Sequence, residues 1–163
     1  MPEQSTTSTP PPAIPLKRLP VLLRRAWYGL NQIFRQRVAH LNITPDQFSI
    51  LRWLNEGDPE GLTQRNLTDL MASDPNTITS TLSRMEAAGL IVRKPHELDR
   101  RAHRVKMLPS GVRTFQKGRK IAMELQEQLL GVLPEERRSQ FLDELEMIGK
   151  TCAEILDKPA KGS

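Results

Sequence analysis

The stretch HELDRRAHRVKML, residues 96–108, crowds Arg100, Arg101, Arg104 and Lys106, with His103, beside a short polar tip, and Arg93 and Lys94 stand just ahead of it. Guanidinium and ammonium groups at this density are suited to one task, neutralising and hydrogen-bonding phosphate or carboxylate oxygens. Nothing around them is equipped to turn over a substrate. The three histidines, His40, His96 and His103, have no metal-ligand spacing, and Cys152 is the single cysteine. No GxSxG, HExxH, phosphate-loop or dinucleotide-binding pattern occurs. We expect no enzyme, no catalytic residue, no metal and no cofactor.

A second set of side chains lies immediately upstream. In DPNTITSTLSRMEAAGL, Asn76, Thr77, Thr79, Ser80, Ser83 and Arg84 fall on one side of a helix, all hydrogen-bonding and none acidic. Ile78, Leu82 and Met85 fall on the other. An ordinary solvated helix face mixes Glu with Lys. An acid-free face of short polar groups beside a basic hairpin fits the major groove of duplex DNA, where such groups reach base edges and arginines hold phosphates or enter the minor groove.

These groups need elements to hold them. Asp74 can cap the polar-faced helix with Pro75 at its first position, and Gly89 ends it. Thr63 can cap a shorter helix carrying Leu67, Leu70 and Met71, with a turn at Ala72–Ser73 between the two. After Gly89, the apolar run LIVRKP and the alternation from Arg101 to Met107 predict two strands around a tight tip. Upstream, Thr44 caps and Pro45 opens a helix with Phe48, Leu51 and Leu54 inward, stopped at Gly57. Outside this lobe, apolar stripes predict a long helix over 16–41 (through Leu19, Leu23, Trp27, Leu30 and Phe34). A second runs to about Leu133 (Phe115, Leu125, Leu129), and a last follows Pro134 (Phe141, Leu145, Ile148, Cys152).

Charge is distributed unevenly around a net +5 and a sequence pI near 9.7. From Leu16 to His40 there are six cations and no acid, whereas from Pro134 to Asp157 seven acids face three bases. A basic middle that meets a polyanion and an acidic end that faces away fit this asymmetry. No apolar run approaches the ~20 residues of a membrane span, and MPEQSTTSTPPPAIP lacks the regions of a signal peptide. A cytoplasmic protein without membrane contact is expected. Residues 1–15 and 158–163 read as disordered or flexible tails.

The order of these motifs resembles the MarR family, the multiple-antibiotic-resistance type of winged helix-turn-helix regulators. TPDQFSILRWL is similar to its helix before the DNA-binding motif. LTQRNLTDLMASDPNTITSTLSRMEAAGLIVR is similar to its helix-turn-helix and first wing strand, and DRRAHRVKMLPSG to its Asp-x-Arg wing signature. Asn66 and Thr68 stand where the family commonly has Glu and Ala, and Leu108–Pro109 where it usually has a Ser or Thr cap. The resemblance implies a mainly α fold with a small β-hairpin wing. A winged lobe over 42–109 would carry N- and C-terminal dimerisation helices over 16–41 and 110–157. It also implies a homodimer on pseudo-palindromic double-stranded DNA, more a repressor than an activator, and often a small aromatic or anionic effector. Asp99 and Arg101 correspond to the family's wing pair, the acid fixing the hairpin and the arginine reaching the minor groove.

The expected DNA-contacting set is therefore Thr63, Gln64, Asn76, Thr77, Thr79, Ser80, Ser83, Arg84, Arg93, Lys94, Arg100, Arg101 and Arg104, with Asp99 structuring the wing. Leu19, Leu23, Leu129, Phe141, Leu145, Ile148 and Cys152 are the expected dimer interface. The Cys152 thiol reads as a stripe-filling group rather than a redox sensor, since Glu154 and Asp157 lie near it in sequence. Arg24, Trp27, Tyr28 and Asn31 form a candidate effector pocket, although an aromatic pair in a helix stripe more often packs in a core. The competing function is a winged helix that contacts proteins without reading DNA sequence.

Overall fold

The computed structural model describes residues 17–99 and 101–158. The tail expected over 1–15, that expected over 158–163 apart from Lys158, and the DNA contact expected of Arg100 lie outside the described residues. Six helices and a three-stranded sheet follow in the order α1 (Leu19–Val38), α2 (Pro45–Glu56), β1 (Leu62–Thr63), α3 (Gln64–Leu70), α4 (Pro75–Ala87), β2 (Ile91–Pro95), β3 (His103–Met107), α5 (Pro109–Leu130) and α6 (Glu135–Asp157). The architecture is the mainly helical, winged one expected.

Local chemistry accounts for most boundaries. Pro20 sits in the first turn of α1, where a missing N–H costs nothing. The helix stops short of the predicted Leu41, because Ala39–Leu41 tighten into a 3₁₀ turn closed by Asn42 in the left-handed region. Reciprocal capping boxes start α2 (Thr44 with Gln47) and α3 (Thr63 with Asn66). Asn66 is shorter than the usual Glu, yet its Oδ1 accepts from the Thr63 N–H at 3.1 Å. Leu108 supplies no side-chain cap to α5. Instead Ser110 in its first turn donates its hydroxyl to the Gly89 carbonyl, tying α5 to the end of α4.

One core joins the lobe to the flanking helices. Phe34 of α1 and Phe115 of α5 flank Phe48 of α2, with ring centroids 4.9 and 5.7 Å from it. Leu51, Leu67, Leu82, Met85 and Val105 are wholly buried around them. Gly118 makes this possible, since a Cβ there would stand 2.7 Å from the Phe48 ring. The expected split between a lobe over 42–109 and separate helices is therefore blurred, because Phe34, Val38, Phe115 and Leu125 belong to the lobe's own core. Leu70 is 41% exposed at the end of α3. Trp27 and Tyr28 are not core residues either, being 64% and 66% exposed.

The hairpin gains a third strand that the sequence did not announce. β3 pairs antiparallel with β2, from Ile91 opposite Met107 to Pro95 opposite His103, and on its other edge with β1, Leu62 opposite Val105. Two residues are too short for an alternating pattern, so β1 is invisible to periodicity.

Candidate nucleic-acid interface

Asp74 begins α4 as expected: Oδ1 accepts from the Thr77 N–H at 2.9 Å, and Oδ2 accepts the Thr77 hydroxyl. The hydroxyl bond first, and the N–H second, hold the Asp74 carboxyl below the usual aspartate value. Thr77 is thereby committed to the cap as much as to the helix surface.

Asn76, Thr77, Thr79, Ser80, Ser83 and Arg84 all lie exposed on one side of α4, while Ile78, Leu82 and Met85 are buried on the other. The hydroxyls are partly occupied. Thr79 donates to the Pro75 carbonyl at 2.7 Å, Ser80 to Thr77 at 3.2 Å and Ser83 to Thr79 at 3.0 Å. Their protons sit on the helix and their outward lone pairs stay available as acceptors. Thr79 also accepts from Gln64 Nε2 at 2.6 Å, so this pair braces α3 against α4. Thr63 is likewise spent on its capping box. Asn76 makes no side-chain hydrogen bond among the described residues, and Arg84 makes one long one to Ser80, at 3.4 Å.

At the wing tip, the His96 N–H donates to the Ala102 carbonyl at 2.9 Å, and His96 Nδ1 accepts from the Leu98 N–H at 3.1 Å. Asp99 acts on Arg101 through the backbone: its Oδ1 accepts the Arg101 N–H at 2.9 Å. The Arg101 guanidinium is exposed and enters no ion pair among the described residues. Lys94 is exposed and similarly uncommitted.

The other basic side chains of the wing are fasteners. Arg93 donates through N, Nε and Nη2 to the Glu86 carboxylate at 3.0, 3.0 and 2.7 Å, joining β2 to α4. These bonds, with the side-chain one largest, pull the Glu86 carboxyl below the usual glutamate value. Arg104 donates to the Gly61 carbonyl at 2.9 Å and lies 3.6 Å from Asp58, with its Nε buried. Lys106 reaches Glu60 at 2.9 Å. Arg93 and Arg104 were expected to face DNA; both point back to the protein because acids and a carbonyl of neighbouring elements already occupy them. Glu86, Asp58 and Glu60 are the residues sequence reasoning missed. Asp58 and Glu60 become wing partners only once β1 pairs with β3.

The predicted effector residues do converge. Arg24, Trp27, Tyr28 and Asn31 line one open groove of about 630 Å³ along α1, with Arg25, Gln32 and Arg35, and with Pro45 and Asp46 at the start of α2. The predicted dimer residues are instead uncovered apolar side chains. Leu19, Leu23, Leu129, Phe141, Leu145 and Ile148 are 36% to 53% exposed, Cys152 is exposed, and no described residue of α6 is buried.

The MarR family model matches residues 41–102, which is the capped helix α2, the helix-turn-helix and the wing up to its tip. Over that stretch the chain is similar to the MarR family. Among curated proteins it is 28% identical over 95 residues to the HTH-type transcriptional regulator BilQ of Clostridium symbiosum, an alignment taking in 58% of this chain and 66%, just under two thirds, of that protein. The MepR–DNA complex of Staphylococcus aureus superposes with a TM-score of 0.76 at 23% identity, over 82% of this chain and 98% of MepR. CouR of Rhodococcus jostii, solved on a 23-mer duplex, gives 0.75 at 25% identity over 84% and 99%. CouR has also been solved with p-coumaroyl-CoA, and that structure gives 0.72 at 22% identity over 81% and 92%. The MarR architecture thus extends over the flanking helices as well as the lobe, and no described helix is long and apolar enough to cross a membrane.

Proposed function

We propose that this protein is a homodimeric repressor of the MarR family that binds pseudo-palindromic duplex DNA and is released by a small aromatic or anionic effector in the α1 groove. The observation that carries the DNA reading is the exposed, acid-free face of α4 beside a wing tip whose Arg101 is held by Asp99 and is otherwise uncommitted. In this reading Asn76, Ser80 and Ser83 meet base edges, Arg84 and Lys94 meet phosphates, and Arg101 enters the minor groove. The bare apolar face of α6 supports the dimer, since a surface of that extent is normally buried against a partner. Occupancy of promoter DNA is enough for repression. CouR, which takes both a duplex and an aromatic ligand, is consistent with the effector reading.

The test is enrichment of fragments from the protein's own genome, followed by gel shifts on the enriched sites across a salt series. The reading predicts inverted repeats with half-site centres about 10 bp apart. It also predicts affinity that falls linearly in log–log form with salt. No enrichment over bulk DNA would favour the alternative, a winged helix used for protein contacts.

A further inference from the structure

The hydroxyls of α4 have all given their protons to the protein. Thr77 donates to the Asp74 carboxylate, Thr79 to the Pro75 carbonyl, Ser80 and Thr81 to the Thr77 carbonyl, and Ser83 to the Thr79 carbonyl. A hydroxyl has one proton and two lone pairs, so each of these oxygens can now only accept. Their lone pairs are filled unequally. Thr79 accepts from Gln64 Nε2 at 2.6 Å, whereas Ser80 and Ser83 take only long contacts, from Arg84 Nη2 at 3.4 Å and Arg93 Nη2 at 3.5 Å. Both serines are exposed, and each keeps a lone pair for whatever meets the helix.

Asn76, Ser80 and Ser83 recur at a four- and a three-residue step, so they form one strip along α4. At the rise of an α-helix the strip covers about 10 Å, roughly three base-pair steps of ~3.4 Å. In the major groove the hydrogen-bond donors are the amino groups of adenine and cytosine, while guanine and thymine present acceptors. We propose that α4 reads DNA through acceptors: Ser80 and Ser83 each select adenine or cytosine on the strand they face and reject guanine and thymine. Asn76, whose amide carries donors and an acceptor, takes adenine through its N6 and N7. To meet guanine or thymine, a serine must turn its proton outward and give up its bond to the helix carbonyl. Losing one such bond costs on the order of fivefold in affinity. Thr77 and Thr79, committed to Asp74 and Gln64, shape the surface without reading it. This assignment rests on the DNA reading above and gives the half-site a base chemistry.

Selection of bound duplexes from a random pool by the full chain, followed by base-analogue substitution, is the test. Two positions in each half-site should favour adenine or cytosine over guanine and thymine by about fivefold. Ser80→Ala should level one of them and Ser83→Ala the other. 2-Aminopurine keeps the pairing with thymine but moves the amino group of adenine into the minor groove; N4-methylcytosine blocks the groove-facing amino hydrogen of cytosine. At the selected base, the matching analogue should cost the wild type about fivefold in an anisotropy titration and cost the corresponding alanine variant nothing. Guanine or thymine at the serine-dependent positions would mean that the hydroxyls donate, and the assignment falls. It falls equally if neither alanine variant changes any preference, or if the analogues cost variant and wild type alike. A pool from which nothing is enriched overturns the DNA reading itself.

Discussion

Arg101 and Arg104 are three residues apart in one basic run, and the structure gives them opposite duties. Arg101 projects from a tip whose backbone Asp99 holds at 2.9 Å, whereas Arg104 is folded onto the Gly61 carbonyl and Asp58. Arg101→Ala should therefore lower affinity for enriched DNA by on the order of 1–3 kcal/mol while leaving the melting temperature near wild type. Arg104→Ala should do the reverse, lowering the melting temperature first. Gel shifts and thermal melts on the two variants give the comparison; equal effects on both readouts would remove the distinction. At this scale the sequence was legible where a side chain acts locally. The caps at Asp74 and Thr44 and the polar face of α4 all follow from spacing within a few residues. The partners of Arg93 and Arg104, Glu86 and the Asp58–Gly61 loop, lie across an element boundary that spacing does not reveal. Trp27 and Tyr28 were ambiguous for another reason: a helix stripe shows that a face is apolar, not whether its own chain covers it.

Between elements, the wing is held at a set angle by bonds to its neighbours rather than by its own two strands. Glu86 on α4 takes three hydrogen bonds from Arg93 on β2, and the β1 loop takes Arg104 and Lys106 from β3. The Glu86 carboxyl titrates below its ordinary value of 4.5 in the fold. Its contribution to stability is therefore fully present above that value and is lost as the pH falls through the lower folded one. Glu86→Gln should melt below wild type at neutral pH, and the gap should close as the pH is taken below about 4.5. A gap of constant size across that range would mean that the ion pair does not fasten the wing. The helix order, the caps at Thr44 and Thr63 and the hairpin were readable from periodicity and turn chemistry, whereas the reciprocal bonds from Gln47 and Asn66 were not. The two-residue β1 was not, nor was the demand for Gly118 under Phe48, which arises only when α5 crosses α2. Gly111 belongs to the same class: a Cβ there would come within 2.1 Å of the Leu90 carbonyl oxygen.

For the whole molecule, the governing fact is that α1, α5 and α6 carry bare apolar side chains in a single chain, among them Leu19, Leu23, Leu129, Phe141, Leu145 and Ile148. The sequence pointed to this surface, because three stripes offered more apolar area than one lobe can cover. What it misjudged was the division of labour, since α1 and α5 serve the lobe's core and the outer surface at once. Leu145, 39% exposed on α6, should lie in the dimer seam, so Leu145→Glu should yield monomers. DNA binding should fall with the dimer, because one recognition helix makes too few contacts. The most direct measurement of the central claim is the stoichiometry of wild-type protein on an enriched duplex, by sedimentation, with Leu145→Glu run beside it. Two chains per duplex for the wild type, and no stable complex for Leu145→Glu at the same concentration, is the predicted result. A single wild-type chain bound tightly to each duplex would contradict it.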